Sequence, residues 1–258
     1  MTDDRDDELR FLAGYDASLY PRPSVAVDVV LLTVSGEGLR TLLVRRTEQP
    51  QKDRWAVPGG FVRMDESLDD AARRVLAAKV GLDGVFIEQL YTFGEPGRDP
   101  RTRVISVVYV ALVEAGRLER AVADRANHTL RMASLECAGR DGEEGEAGEE
   151  GEDAIARDET RAPLPLAFDH ATILGKTIGR VRGKVRWGRI GFELLPETFT
   201  LRDLRLIHEG ILGRPLNKDS FRRRMLDQGL VEPTGDLLRG TGHRPAELYR
   251  IARERAPG

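Results

Sequence analysis

The stretch GFVRMDESLDDAARRVLAAKVGL, residues 60–82, decides the fold of the first half of the chain. Ser67 and Asp70 fit a capping box at the start of a helix. Apolar side chains then recur at helical spacing, which predicts a helix with one buried face. They are Leu68, Ala72, Val75, Leu76 and Val80. Gly81 is the expected end of this helix, because glycine readily adopts the left-handed conformation found at helix C-termini.

The same stretch resembles the Nudix box, whose pattern is G-x5-E-x7-R-E-U-x-E-E-x-G-U with U aliphatic. The positions that match in register are Gly60, Glu66, Arg74, Leu76, Gly81 and Leu82. Val75, Ala78 and Lys79 replace the three glutamates that would hold a divalent metal. Mg²⁺ requires oxygen ligands, which valine and alanine lack, and a lysine ammonium repels the ion. We therefore expect a Nudix scaffold with no metal site, no catalytic residues and no required cofactor.

Length and composition fit a globular protein of one large or two small domains, since the chain has 258 residues and 40% are hydrophobic. Its one cysteine, Cys137, excludes an internal disulfide and is compatible with a reducing cytosol. The N-terminus is acidic and has no apolar core, so it is not a signal peptide. No apolar run approaches the roughly 18 residues that cross a bilayer. These observations predict a cytoplasmic protein without a membrane partner.

Charge is distributed unevenly along the chain. Residues 171–258 contain 18 Lys and Arg against 10 Asp and Glu, whereas residues 1–170 contain 22 against 33. A basic C-terminal part on an acidic body indicates that the C-terminal part binds a polyanion. Solvated surface charge is the alternative, and charge alone does not choose between them.

The first domain, residues 24–168, alternates strand-like and helix-like patterns behind an acidic arm of residues 1–23. Residues 25–34, 39–45 and 104–112 are rich in β-branched side chains, as strands are. Glycines at 36 and 38 indicate a turn, so the first two strands form a plausible hairpin. Residues 139–162 are acidic and low in complexity, which predicts a disordered loop. This loop is either inert or competes with DNA for the basic domain.

The second domain, residues 169–254, contains a helix-turn-helix pattern. A basic helical pattern runs from His170 to about residue 184, and residues 190–195 read as a short strand. Thr200 and Asp203 form a capping box for a helix with an apolar inner face, and Asn217 caps a second helix after a turn. Phe221 and Met225, four residues apart on that second helix, are predicted to face the protein interior.

The outer face of the second helix carries the residues expected to contact DNA. Arginine can bond guanine in the major groove and also binds phosphates. The alternative for Arg223 is a surface ion pair with Asp219. Residues 234–245 form a glycine-rich hairpin tip that fits the wing of a winged helix. The candidate DNA-binding residues are Thr200, Lys218, Ser220, Arg222, Arg223, Arg224, Arg239, His243 and Arg244.

The Nudix-like domain is followed by FTLRDL at 199–204, NKDSFRRRML at 217–226 and GHRPAELYR at 242–250. Together these segments resemble the Nudix-related transcriptional regulators of the NrtR type, over roughly residues 24–253. The resemblance implies an α+β chain, a Nudix-type α/β/α sandwich with a mixed sheet followed by a winged helix-turn-helix domain. It further implies a bacterial repressor that binds a near-palindromic double-stranded DNA operator as a homodimer. Its Nudix domain would sense ADP-ribose or a related phosphorylated sugar, and its targets would be NAD or sugar-catabolism genes.

A phosphorylated effector needs cations and a nucleobase needs a flat surface. The candidate effector-binding residues are Arg46, Arg63, Glu66, Phe93, Arg98, Arg101 and Arg103. Each has a structural alternative: Arg46 can be solvated, Phe93 can be core and Asp99 can neutralise Arg101. His170 is expected to be structural, because the sequence shows no nucleophile beside it. The competing function is a Mg²⁺-dependent hydrolase of nucleoside diphosphate sugars, and a constitutive DNA-binding protein is a third, weaker option.

Overall fold

The computed structural model describes residues 3–36, 38–124, 129–137, 153–185, 190–238 and 245–252. Its helices are α1 Asp3–Gly14, α2 Leu68–Val80, α3 Ala115–Ala123, α4 His170–Val185, α5 Leu201–Leu212 and α6 Lys218–Asp227. The strands of the first sheet are β1 Ser24–Ser35, β2 Gly38–Arg45, β3 Trp55–Ala56, β4 Gly59–Phe61, β5 Glu88–Phe93, β6 Val104–Leu112, β7 Leu130–Cys137 and β8 Ala154–Arg157. A second sheet contains β9 Phe199–Thr200, β10 Val231–Leu238 and β11 Ala246–Ile251.

The first sheet is mixed and has the order β5-β6-β1-β2-β7-β8, with β3 paired to β2 and β4 to β1. Strand β1 is parallel to β6 and antiparallel to β2. The β1–β2 pairing runs from Leu32 opposite Thr41 to Ser35 opposite Gly38, which confirms the predicted hairpin.

Helices cover both faces of this sheet. Successive side chains of β1 point to opposite faces, and those on each face are buried under helices. Val27, Val29 and Leu31 pack with apolar side chains of α2 and α3. Val30 and Leu32 pack on the opposite face with side chains of α4 and α5. The predicted α/β/α sandwich is therefore confirmed.

Helix α2 begins and ends as the sequence predicts. The Ser67 side chain accepts from the Asp70 backbone N–H, and Gly81 ends the helix in the left-handed conformation at φ 80°. Val75, Leu76 and Val80 are buried against the sheet. The helix thus holds one side of the first domain, and its C-terminal turn lies beside β4.

Helix α4 packs on the first sheet, although the boundary predicted at residue 169 assigned it to the C-terminal domain. Ile173, Leu174 and Ile178 belong to the same apolar cluster as Val30 and Leu32. Helix α4 therefore contributes to the core of the first sheet. The apolar positions of α4 predict that one face is buried, but the sequence does not show against which domain.

The prediction of a disordered loop over residues 139–162 is wrong for residues 154–157. Residues 138–152 lie outside the described part of the chain. Residues 154–157 form β8, which pairs antiparallel with β7, and Ala154 and Ala156 are buried. Alternating alanines thus supply an edge strand inside a segment whose composition is dominated by charge.

The C-terminal domain packs α5, α6 and the second sheet, of order β10-β11-β9, around one apolar cluster. The predicted capping box between Thr200 and Asp203 is present, and Phe221 and Met225 are buried as predicted. The expected strand at 190–195 is wrong. Residues 192–194 form a 3-10 turn after Gly191, whose φ of 99° breaks the extended conformation.

The fold is therefore a Nudix-type sandwich followed by a winged helix, as predicted. Every helix among the described residues is too short or too polar to span a bilayer.

Candidate effector pocket and DNA-binding face

A cleft of about 460 Å³ opens at one end of the first sheet, beside β4 and the C-terminal turn of α2. This volume lies within the range of small-molecule sites. The segment between β5 and β6 and the residues before α4 close its sides. Its charged and aromatic lining residues are Asp28, Arg45, Arg46, Glu48, Phe61, Lys79, Arg98, Asp99, Arg101 and Phe168.

Two phenylalanine rings and two guanidinium groups are stacked along this cleft. The Cζ atom of Arg46 lies 4.7 Å from the centre of the Phe168 ring. The Cζ atom of Arg101 lies 5.3 Å from the centre of the Phe61 ring and 6.0 Å from that of Phe168. Phe168 has a φ of 50°, rare for a bulky residue, and its backbone N–H donates to Gln51 Oε1 at 2.7 Å. The arrangement offers flat surfaces next to positive charge.

The guanidinium groups of Arg46 and Arg101 have different hydrogen-bond partners. Arg101 donates to both oxygens of Asp99, at 3.0 and 2.7 Å, and this pair lowers the pKa of Asp99 and raises that of Arg101. Arg46 donates from Nε to the carbonyl of Pro50 at 3.0 Å, and no carboxylate among the described residues pairs with it. Burial, and then the nearby Arg101, lower the pKa of Arg46.

Arg98 also lines the cleft, but its side chain is only 6% exposed and is held by Asp169. Its Nε and Nη2 atoms donate to the two Asp169 oxygens at 2.8 and 2.7 Å. This paired geometry ties the β5–β6 segment to the start of α4. Of the seven effector-binding candidates, the structure therefore brings Arg46, Arg98 and Arg101 together.

The other four candidates do not line the cleft. Phe93 is 7% exposed and is part of the core, so its ring cannot stack on a ligand. Arg63 and Arg103 are exposed elsewhere on the surface. Glu66 is bound by Arg74, whose Nε donates to it at 2.8 Å, and accepts the backbone N–H of Arg63. Its oxygens are thus occupied inside the domain.

The pair between Glu66 and Arg74 predicts an acid-sensitive stability. The hydrogen bonds from Arg74 lower the pKa of Glu66 from about 4.5 to about 2. A lowered carboxyl pKa stabilises the fold above the unfolded value and loses that effect as pH falls through the folded one. Thermal unfolding followed by circular dichroism should give Glu66→Gln a lower Tm than the parent at pH 7. That difference should shrink between pH 4.5 and pH 2, and a constant difference would contradict this role.

Sequence reasoning missed Phe61 and Phe168 and interpreted Lys79 only as a lost metal ligand. Phe61 is 45% exposed and Phe168 lies just before α4, far from the box in sequence. The exposed aromatic next to the box glycine was a usable signal for Phe61. Phe168 has no local signature, because only the tertiary fold brings it to Arg46.

The positions where the Nudix pattern has glutamates do not fit a divalent metal. Val75 is 2% exposed and packs in the core, and Ala78 lines the cleft without an oxygen donor. The Lys79 ammonium donates to the Gly59 carbonyl oxygen. Asp69 and Asp70 are bonded to Tyr109 and Ser67. Within the described ranges no group of three His, Cys, Asp or Glu side chains is placed to share an ion.

His170 also borders the cleft, and its contacts are structural. Its Nδ1 atom accepts the backbone N–H of Val57 at 3.0 Å, and the residue is 4% exposed. Burial lowers the pKa of His170. The ring therefore joins α4 to the strand end that supports the cleft.

The second candidate surface is the outer face of α6. Asn217 caps this helix, accepting the backbone N–H groups of Asp219 and Ser220, while Phe221 and Met225 anchor it. Arg223 points almost directly away from these anchors, Arg222 and Ser220 lie on the flanking sides, and Lys218 is exposed in the first turn. Arg222 lies 3.5 Å from Glu247 and over the Tyr249 ring. The alternative for Arg223, a surface ion pair with Asp219, is not formed, and within the described ranges Arg223 has no polar side-chain partner.

The remaining DNA-binding candidates are placed differently. Thr200 is 6% exposed and its hydroxyl caps α5, so it positions the helix and offers nothing to DNA. Arg224 is half-buried with its guanidinium 5.4 Å from the Phe221 ring centre. Strands β10 and β11 form the predicted wing. Arg239, His243 and Arg244 lie outside the described residues.

Comparison with protein families assigns both halves of the chain. Residues 22–148 match the NUDIX domain, and residues 191–251 match the NrtR DNA-binding winged helix domain. The chain is 36% identical over 247 residues to the ADPR responsive transcriptional repressor NtrR of Acinetobacter baylyi, covering 95% of this chain and 88% of that relative.

The chain belongs to the NrtR family.

Solved structures agree with NrtR family membership. Shewanella oneidensis NrtR complexed with a 27mer DNA has a TM-score of 0.68 and 31% identity, covering 88% of this chain and 93% of that one. A MutT/nudix family protein from Enterococcus faecalis has a TM-score of 0.73 and 26% identity, covering 95% and 93%. The shared architecture of this NrtR-family chain thus extends through both domains.

Proposed function

We propose that this chain is an ADP-ribose-responsive transcriptional repressor that binds a near-palindromic operator as a cytoplasmic homodimer. The observation that carries the proposal is the joining, in one NrtR-family chain, of a cation-lined cleft with an exposed arginine-bearing recognition helix. The relative from Acinetobacter baylyi, similar over nearly the full length, supports the effector.

The cleft suits the chemistry of ADP-ribose. Phe61 and Phe168 offer rings on which an adenine can stack, next to the guanidinium groups of Arg46 and Arg101. A diphosphate bridge carries negative charge on each phosphate, and cationic side chains recognise it by charge-assisted hydrogen bonds. A ligand in the cleft would therefore contact the sheet, α2 and the residues before α4 at once.

DNA recognition is assigned to α6 and the wing. In a winged helix-turn-helix the second helix enters the major groove and the wing contacts the backbone or the minor groove. Arg223 and Ser220 occupy the side of α6 opposite its buried anchors, where base edges can be reached. Lys218 at the helix start is placed for a phosphate contact.

The effector response follows from the position of α5, which contributes side chains to both domains. This helix is the first of the helix-turn-helix pair, yet Ile207 and Ile211 pack with the first sheet. Strand β1 lines the cleft near Asp28 and meets Gly210 of α5 at Val34, so a ligand that shifts this strand would act on the orientation of the winged helix. In a dimer, such a shift changes the spacing of the two recognition helices away from one turn of DNA, and affinity falls.

The test is DNA binding by the purified chain to its own upstream region, titrated with ADP-ribose in the absence of Mg²⁺. Fluorescence anisotropy should show specific binding that ADP-ribose weakens. Specific binding that is indifferent to ADP-ribose would overturn the effector assignment and retain the regulator. Binding no tighter than to unrelated DNA would overturn the repressor assignment.

The hydrolase alternative is tested on the same preparation. ADP-ribose is incubated with the chain and Mg²⁺, and release of AMP is followed by chromatography. We expect no release above that of the same chain incubated with EDTA, since Val75, Ala78 and Lys79 give a metal no oxygen ligand. Turnover at ordinary enzyme rates, roughly 1 per second or faster, would favour the hydrolase.

A further inference from the structure

The cations lining the cleft differ in whether they form an ion pair. Among the described residues the cleft is lined by five cationic side chains and three carboxylates. Arg45 pairs with Asp53 at 3.1 Å, Arg98 with Asp169, and Arg101 with Asp99. Arg46 and Lys79 are the lining cations that pair with no carboxylate in the described part of the chain. Each donates to a backbone carbonyl, which holds the cation in place without neutralising it.

Lys79 and Arg46 act at the same place in the cleft. Lys79 extends from the C-terminal turn of α2 to the Gly59 carbonyl in β4, where it is close enough to Arg46 for repulsion to lower its pKa. Burial is the largest cause of that lowering, and attraction to the nearby Asp28 carboxylate opposes it. Two like charges held together in a partly desolvated site are costly unless an anion joins them. Asp28 and Glu48 offset part of this charge without an ion pair to either cation, so a ligand with more than one negative charge would pair with both.

Lys79 also occupies a position where the Nudix pattern has a metal-binding glutamate. The usual arrangement places a divalent cation between protein carboxylates and the substrate's phosphates. Here the three box positions carry no carboxylate, and an ammonium projects from the same helix. Lysine binds phosphate as a point charge, so one side chain can supply the positive charge that the metal would otherwise bring.

We propose that Lys79, together with Arg46, binds the diphosphate of the effector directly and replaces the divalent metal as its counter-charge. Effector binding is then independent of Mg²⁺ and insensitive to chelators. The proposal rests on the proposed function for the choice of ADP-ribose, but the site itself requires only a nucleoside diphosphate.

The test is isothermal titration calorimetry of the full chain with ADP-ribose, in EDTA and in Mg²⁺. The parent chain should bind equally well or better in EDTA, because free Mg²⁺ competes for the diphosphate. Lys79→Gln should bind roughly 10- to 100-fold more weakly in EDTA, the range for losing a charged hydrogen bond. Lys79→Arg should retain most of the affinity.

Lys52→Gln is the matched control, since it removes the same charge from an exposed residue of the segment between β2 and β3 that is outside the cleft lining. It should bind ADP-ribose within about threefold of the parent, a difference below roughly 1 kcal/mol. Lys79→Glu restores the residue type of the Nudix pattern. It should lose binding in both buffers, because Val75 and Ala78 still offer no ligand to a metal.

Binding that requires Mg²⁺, or Lys79→Gln indistinguishable from Lys52→Gln, would overturn the proposal and leave the repressor assignment intact. ADP serves as a second probe. If the parent binds ADP but not ADP-ribose in EDTA, and Lys79→Gln loses ADP, the role of Lys79 stands and the effector assignment fails. If neither nucleotide binds in either buffer, both fail.

Discussion

Replacing Arg223 with glutamate is expected to weaken binding to the chain's upstream DNA by roughly 100-fold or more. One bidentate contact to guanine contributes about 1–3 kcal/mol, and a carboxylate on the same face adds repulsion from the phosphates. Arg223 is exposed and, within the described ranges, free of polar side-chain partners, so the folded protein should lose little stability. Anisotropy at one fixed salt concentration measures the effect, because salt itself changes such affinities steeply.

Arg22→Glu is the control for this change, since it makes the same change of charge at an exposed residue of the N-terminal arm. It should bind DNA within a few-fold of the parent. Lys218→Ala gives a second contrast: a phosphate contact should weaken all sequences alike and reduce the salt slope by about 1. If Arg223→Glu bound DNA as Arg22→Glu does, α6 would not be the recognition helix.

A methyl group at position 210 is expected to abolish most of the response of DNA binding to ADP-ribose. Gly210 lies on α5 against β1, and a Cβ atom there would stand 2.3 Å from Val34 Cγ1. Alanine would therefore push α5 away from the sheet, although it favours the helix itself by up to about 1 kcal/mol. Allosteric responses are typically 5- to 150-fold, and for Gly210→Ala the ratio of DNA Kd values with and without ADP-ribose should approach 1.

Gly179→Ala separates the effect of raised helix propensity from the effect of the clash. A Cβ atom at that site on α4 meets nothing within 4 Å. That chain should keep the full response. Adding Val34→Ala to Gly210→Ala removes the methyl groups that clash and should restore part of the response, which a double-mutant cycle quantifies. A Gly210→Ala chain that binds both ligands and responds like the parent would show that the α5–β1 contact does not carry the coupling.

Local sequence signals predicted much of the fold. The start and end of α2, the capping box of Thr200 and the buried pair Phe221 and Met225 depend on neighbours within a few residues, and all three are as expected. One stretch that differs is 190–195, where Gly191 turns the chain out of the extended conformation. Burial of alternate side chains in β8 was hidden by the charged composition around it.

The candidate site was harder to predict, because its contacts are distant in sequence. Phe93 stands beside an arginine cluster along the chain, yet it faces the core. Glu66 is bound by Arg74, eight residues further along, and the spacing alone does not reveal this pair. Phe168 is brought to Arg46 by the tertiary fold. Residue type predicted Arg46, Arg98 and Arg101 at the cleft but not Arg45 or Lys79, and the partners of these cations determine which remain available.

Helix α5 has a consequence for how such a protein can be divided. Its side chains Leu204 and His208 face the winged helix, while Ile207 and Ile211 complete the core of the first sheet. A fragment that begins at residue 191 would expose the latter pair to water, and a fragment that stops after α4 would uncover Val34 and its neighbours. Neither half can be grafted alone onto another protein. A chimaeric sensor must therefore exchange the winged helix domain together with the face of the first sheet on which α5 packs.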